Sequence, residues 1–225
     1  MKDKGRGDGD LNRQEPAFGK KVPYGELSDE DLMLRVQEGD NRAFDFLVGR
    51  YKNRLYSYLF RLLGDDVEAE EFAQETFVKA YVHAEKYRTV ARFSTWLYTI
   101  ATNLVRNRVR NMKRRPMMLS LWSEDANSDS GRWVDLRDKS PGPDVDMERK
   151  NLRRLIQESI EKIPAKYRVS FVLREIDNLS YEEIAATTGL KLGTVRSRIN
   201  RGRNYFRKAI APLLEKDYRL KGNEQ

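Results

Sequence analysis

The chain has 225 residues, with 43 Lys and Arg against 35 Asp and Glu, and so a formal charge of +8. At 39% hydrophobic and 35% charged residues it is too apolar for a wholly disordered chain and too charged for one large interior, which favours slender helical modules. It has no cysteine and a single histidine, His83, which excludes disulfides, thiolate nucleophiles and Cys- or His-rich metal centres, so neither a metal nor a cofactor is expected.

Met1 to Tyr24 mixes Gly5, Gly7, Gly9 and Pro16 with charges of both signs. It reads as a disordered extension over residues 1–24 and lacks the apolar core of a secretory signal. No later stretch approaches the roughly 18 uninterrupted apolar residues of a membrane helix, so no membrane insertion and a cytoplasmic location are expected.

From residue 25 to 115 apolar residues recur at helical spacing. Phe44, Leu47, Tyr51, Leu55, Leu59 and Leu62 step by three or four and describe an amphipathic helix that stops at Gly64. A second helix follows, with Ala69, Phe72, Ala73, Thr76, Phe77, Ala80 and Tyr81 as its stripe. Asp65, Asp66, Glu68, Glu70, Glu71 and Glu75 crowd its first turns, where the helix dipole favours negative charge. A third is expected to begin at an N-cap Ser94. Its apolar face runs Trp96, Leu97, Ile100, Ala101, Leu104 and Val105, and its other face Thr99, Thr102, Asn103, Arg106, Asn107 and Arg110.

Residues 116–147 carry Pro116, Pro141, Pro143, Gly131 and Gly142, with acids outnumbering bases, and read as a flexible acidic linker. From 148 to 217 the helical spacing returns. Leu152, Leu155, Ile156, Ile160 and Ile163 lead to Pro164, and Tyr167, Phe171, Val172 and Ile176 mark the next helix. Ser180 and Glu183 have capping-box spacing and open a short helix that closes at Gly189. After the turn Leu190-Lys-Leu-Gly193, a helix is expected from Thr194 with Val195, Ile199, Gly202 and Phe206 inward, which is the pattern of a helix-turn-helix. Residues 218–225 form a tail. The expected fold class is therefore all-α, two small helical domains joined by a flexible linker.

The outward side of the last helix carries Thr194, Arg196, Ser197, Arg198, Asn200, Arg201, Arg203 and Arg207, with no acid between Lys191 and Ile210. Solvated helices normally intersperse acids for i,i+4 pairing. A cationic face at a helix N-terminus instead suits duplex DNA, with Arg forking onto guanine, Asn onto adenine and Ser onto phosphate. The third helix turns basic through Arg106, Arg108 and Arg110 after the aromatics Tyr87, Phe93, Trp96 and Tyr98. Tyr87 to Phe93 lacks an apolar period, so a loop beside a cationic helix could hold unstacked bases. The alternative is that the rings are core, and Trp96, on the stripe with Ile100, is expected there. The acidic second helix repels phosphate, so Glu71, Gln74 and Glu75 either face a basic protein surface or are simply solvated.

The runs Glu68-Ala-Glu-Glu-Phe-Ala-Gln-Glu-Thr-Phe-Val-Lys-Ala-Tyr81, Phe93-Ser-Thr-Trp-Leu-Tyr-Thr-Ile-Ala-Thr-Asn103, Leu173-Arg-Glu-Ile-Asp-Asn-Leu-Ser-Tyr-Glu-Glu-Ile-Ala186 and Gly193-Thr-Val-Arg-Ser-Arg198 resemble regions 2 and 4 of the extracytoplasmic-function branch of the bacterial sigma-70 family. The resemblance implies an RNA polymerase sigma factor, not an enzyme. It implies that Glu71, Gln74 and Glu75 dock on the clamp helices of the polymerase β′ subunit and that the second module meets the β flap. Tyr87, Arg88, Phe93, Thr99, Asn103, Arg106 and Arg110 would read a −10-type single strand. Thr194, Arg196, Ser197, Arg198, Asn200, Arg201 and Arg203 would read a −35-type duplex. An anti-sigma partner is also implied. Two positions depart from the pattern: Lys191-Leu-Gly193, where relatives often have proline, and Glu71-Phe72, where Asp-Leu is common.

Two other functions compete. A polymerase-independent helix-turn-helix regulator leaves the acidic helix and the first basic block without a role. A nucleic-acid-processing enzyme lacks a G-x-x-x-x-G-K-[ST] loop, an HExxH motif and general-base histidines.

Overall fold

The computed structural model describes residues 22–114 and 143–222, and the described residues form helices with no strand. The extension up to residue 21 and the linker up to residue 142 lie outside them. A single turn of 3-10 helix at Tyr24–Glu26 leads into α1 (Asp29–Gln37), where the Ser28 side chain accepts from the Asp31 amide at 3.0 Å. α2 (Asn41–Leu63) begins at the cap Asp40 and ends at Gly64, whose φ of 77° is a left-handed cap that glycine adopts without strain. α3 (Asp66–Val82) is capped by Asp65, which accepts from Glu68 N at 2.7 Å. After a second 3-10 turn, Ala84–Lys86, the chain forms a loop and enters α4 (Phe93–Arg114).

α4 begins one residue before the expected Ser94 cap. The Phe93 amide is satisfied from another element, by Glu30 Oε1 of α1 at 3.1 Å, so the start needs no local cap.

α5 (Pro143–Glu161) starts before residue 148, because proline suits the first helical position and needs no hydrogen-bond partner there. α6 (Ala165–Glu175) follows Pro164. α7 (Tyr181–Thr188) carries the full reciprocal capping box of Ser180 and Glu183 and closes at Gly189, with φ 69°. α8 (Leu192–Gly222) begins two residues before Thr194 and runs on past Pro212 through most of the expected tail.

The core is continuous across both blocks. Tyr51, Leu55, Tyr58 and Leu59 of α2 pack with Leu97, Tyr98 and Ala101 of α4, and the same cluster extends to Ile160, Phe171, Leu173 and Ile184. Polar contacts join the blocks where backbone ends need partners. Arg168 donates to Leu62 O at 3.0 Å and to Ile163 O at 3.2 Å, and also to Glu161 O, so one guanidinium caps the ends of α2 and α5 together. Burial lowers its pKa, and the carbonyls stand in for lost water. Tyr98 OH donates to Asp177 Oδ1 at 2.7 Å. Within the helix-turn-helix, Gly202 lies so close to α6 that a Cβ there would sit 2.7 Å from Phe171 Cβ.

Candidate nucleic-acid interface

The first surface is the 87–93 loop with the exposed face of α4. Tyr87 is 2% exposed and Phe93 fully buried, so their rings are not free to stack on bases as expected. They pin the loop instead. Phe93 meets Tyr51 at a centroid distance of 5.3 Å and Tyr87 at 6.2 Å, while Tyr87 meets Trp96 at 5.4 Å. Burial pushes the Tyr87 hydroxyl up to about 12, and that protonated hydroxyl donates to Ala91 O at 2.8 Å. The intervening residues are displayed: Val90 is 98% exposed, and Arg88, Thr89 and Arg92 face solvent. Arg88 lies along the loop, donating to Tyr87 O at 2.9 Å.

On α4, Asn103, Arg106, Asn107 and Arg110 are exposed and share one side. Thr99 is half-buried and donates back to Thr95 O at 2.7 Å. Thr102, expected on the polar face, is buried beside Tyr58 OH at 2.8 Å. Its methyl and hydroxyl both suit the core because Tyr58 brings a buried polar partner. Tyr58 and Tyr98 have their pKa values raised chiefly by burial, so both hydroxyls remain protonated.

The second surface is α8. Thr194, Arg196, Ser197, Asn200 and Arg201 are exposed at its N-terminal half. The structure adds partners that the local sequence does not contain. Arg203 pairs with Glu175 of α6 at 2.7 Å, which raises its pKa and engages its charge within the fold. Arg201 donates to Tyr167 OH at 3.0 Å, a bond that helps lower the tyrosine pKa. Arg198 is half-buried and lines a cleft of about 430 Å³ with Arg106, Val109, Lys166 and Leu190, between the two blocks.

The third surface is the outward side of α3. Val67, Val78 and Val82 are 57%, 61% and 62% exposed, and Glu71 and Gln74 lie between them on the same stripe. Glu75 is half-buried and pairs with Lys79 at 3.2 Å. Apolar and acidic groups side by side suit a protein partner, because the apolar surface gains from burial while the acids repel phosphate.

The surfaces are coupled. Arg92 pairs with Glu183 of α7 at 3.2 Å, and Arg106 donates to Thr188 O at 3.1 Å. Sequence reasoning missed α1 as a separate helix, the contribution of Arg92 and Val90, and the bonds from α1 to the loop. Leu32, Met33 and Val36 at helical spacing after Ser28 were the available signal.

Taken together, two basic surfaces and a separate acidic-apolar stripe on an all-helical scaffold define a nucleic-acid-binding protein that also docks on another protein. Residues 47–115 match the family model for Sigma-70 region 2 and residues 153–205 that for Sigma-70, region 4. The chain is 39% identical over 186 residues to the RNA polymerase sigma-H factor of Pseudomonas aeruginosa, covering 83% of this chain and 95% of the relative. It is 38% identical over 190 residues to the ECF RNA polymerase sigma-E factor of Haemophilus influenzae, covering 84% and 98%. Its fold resembles the sigma factor RpoE from Bartonella quintana, solved with the anti-sigma factor NepR, with a TM-score of 0.56, 20% identity, and 74% and 96% coverage. The chain belongs to the extracytoplasmic-function branch of the sigma-70 family, the RNA polymerase sigma factors of promoter-specific transcription initiation. Proteins of this family are in general DNA-binding initiation factors rather than enzymes. Among the described residues no helix is long and apolar enough to cross a membrane.

Proposed function

We propose that the three surfaces divide the work of initiation, with no catalytic group in this chain and a cytoplasmic place of action. The stripe Glu71, Gln74, Val78 and its neighbours docks on core polymerase. The displayed loop 88–92, with Asn103, Arg106 and Arg110, receives the separated strand of a −10-type element. Thr194, Arg196, Ser197, Asn200 and Arg201 enter the major groove of a −35-type duplex. Arg203, held by Glu175, braces α8 against α6, and Tyr87 and Phe93 support the −10 loop from below. An anti-sigma factor controls the chain, as the partner in the Bartonella complex suggests by analogy.

The observation that carries this reading is the segregation of charge. α3 shows solvent Glu71 and Gln74 among exposed valines, whereas the outward face of α8 shows Arg196, Asn200 and Arg201 with no acid on its own helix before residue 210. One surface suits protein and the other suits phosphate and base edges. Two duplex contacts two helical turns apart lie about 70 Å from each other. Here α7 sits on α4 through Arg106–Thr188 and on the loop before it through Arg92–Glu183, so engaging both promoter elements requires these contacts to part. The 28 residues 115–142 between α4 and α5 could span on the order of 90 Å, so reach does not prevent it.

The test is a Glu71→Lys, Glu75→Lys double variant of the full chain. It is expected to lose core polymerase in a pull-down and run-off transcription with it, while its circular-dichroism melt stays close to wild type. Wild-type affinity for core would remove α3 as the docking surface.

A further inference from the structure

The loop between Tyr87 and Phe93 holds part of its shape by its own bonds, from Tyr87 OH to Ala91 O at 2.8 Å and from the Ala91 amide to Arg88 O at 3.3 Å, and two further fixed points, at its entry and exit, come from a different helix. Gln37, at the end of α1, donates through Nε2 to Ala84 O at 2.7 Å and to Tyr87 O at 3.1 Å. Glu30, two turns earlier on the same face, accepts from the Phe93 amide through Oε1 at 3.1 Å. The first bonds gather two carbonyls at the loop entry, and the last fixes the amide at its exit. The Ala84 carbonyl already accepts from the Tyr87 amide at 3.0 Å in the 3-10 turn, so Gln37 takes its second lone pair, and the Phe93 amide is an orphan donor of the first turn of α4. α1 itself is anchored by fully buried Leu32 and Met33, so its polar face is a stationary platform.

We propose that Gln37 and Glu30 are positioning residues for base recognition: they hold the backbone of residues 87–93 in the conformation that presents Arg88, Thr89 and Val90 to a separated DNA strand. Neither side chain touches DNA. They act on specificity because a loop clamped at both ends has one shape to offer, and a flipped base gains most from groups already in place. The buried rings of Tyr87 and Phe93 fix the height of the loop, and the bonds from α1 fix its path between them. Arg88 contributes to the same clamp, sharing the Tyr87 carbonyl with Gln37. The inference rests on the reading that this loop receives the −10-type strand.

The experiment uses holoenzyme reconstituted from core polymerase and the full chain, with a pool of single-stranded oligodeoxynucleotides randomised over six positions as the probe. Bound sequences are recovered and counted, and affinity for the sequence that wild type selects is measured. Gln37→Met removes the donor at nearly constant volume, and Glu30→Met removes the acceptor. Each is expected to lower that affinity about five- to tenfold, the effect of losing one or two ordinary hydrogen bonds. The loss should be confined to one or two adjacent positions of the selected sequence, with core affinity unchanged. Glu30→Gln keeps an acceptor oxygen and should recover the wild-type preference.

A Thr89→Ala, Val90→Ala variant, which leaves the Arg88 bond to the Tyr87 carbonyl in place, serves as the control on the loop itself. If that variant loses base preference while both Met variants keep it, the positioning role is wrong and the loop reading stands. If the loop variant selects the same sequence with the same affinity as wild type, the loop does not read the strand and the inference falls with that reading. A loss from the Met variants that is equal at every position, or matched by weaker core binding, marks Gln37 and Glu30 as merely structural and also overturns the inference.

Discussion

Replacing Asp177 with Asn tests how the two helical blocks are held together. Asp177 sits between them, with Oδ1 on Tyr98 OH at 2.7 Å and Oδ2 buried without a partner. Tyr98 and Tyr58 face it from α4 and α2, and Arg54 and Arg61 of α2 contribute favourable charge. Burial outweighs these partners and pushes the carboxyl up to about 6 from 3.8. The folded chain therefore holds this proton more tightly than the unfolded chain does. The sign is opposite to that of a salt-bridged carboxylate: the cost is fully present above pH 6, shrinks as pH falls, and is gone below the unfolded value. At about 1.4 kcal/mol per pH unit, the displacement corresponds to roughly 3 kcal/mol at neutral pH. For a chain of this size, that is about 6 to 12 °C in melting temperature.

The substituted carboxamide would keep an acceptor for Tyr98 but add a donor with no partner, a fixed cost of about 1 to 3 kcal/mol. The informative quantity is therefore the difference in melting temperature between Asp177→Asn and wild type, followed by calorimetry from pH 4 to pH 7.5. It should move in favour of the variant by up to about 6 to 12 °C across that range, with most of the change between pH 4 and 6.5. A difference that stays constant, or moves the other way, would show that Arg54 and Arg61 compensate the buried charge, and would refute the reasoning.

Two further outcomes follow from the second block. Gly202→Ala forces a methyl to 2.7 Å from Phe171 Cβ, so it should cost about 1 to 3 kcal/mol, read as a lower chemical-denaturation midpoint, and weaken promoter binding more steeply with temperature. Arg196→Ala should relax base preference at one upstream promoter position, at about 1 to 3 kcal/mol, whereas Arg203→Ala should leave base preference unchanged and lower stability by less than about 1 kcal/mol, because its partner is Glu175 at a partly exposed site. Parallel selection from a randomised duplex library separates the two, and a loss of base preference with Arg203→Ala would return that residue to the DNA surface.

Much of the helical pattern was legible because it is written in short-range chemistry. Gly64 and Gly189 stop helices through their own left-handed backbone, and Ser180 with Glu183 starts one with bonds spanning three residues. The stripe of α2 likewise follows from its spacing alone. The exposure of Glu71, Asn103 and Asn200 also follows from helical periodicity, so much of the candidate site could be placed by number.

What only the tertiary structure decided are the contacts made between distant segments. Helix α4 starts at Phe93 because Glu30, 63 residues earlier, accepts its amide. Thr102 is buried because Tyr58 reaches it, and Tyr87 and Phe93 are core because Tyr51 and Trp96 surround them. Arg203 lies on a helix face without acids and yet meets one, since α6 brings Glu175 alongside. Periodicity reports which side of a helix is apolar. It carries no record of which other helix will arrive to cover that side, or of which charge that helix brings, because those depend on packing between residues far apart in the chain.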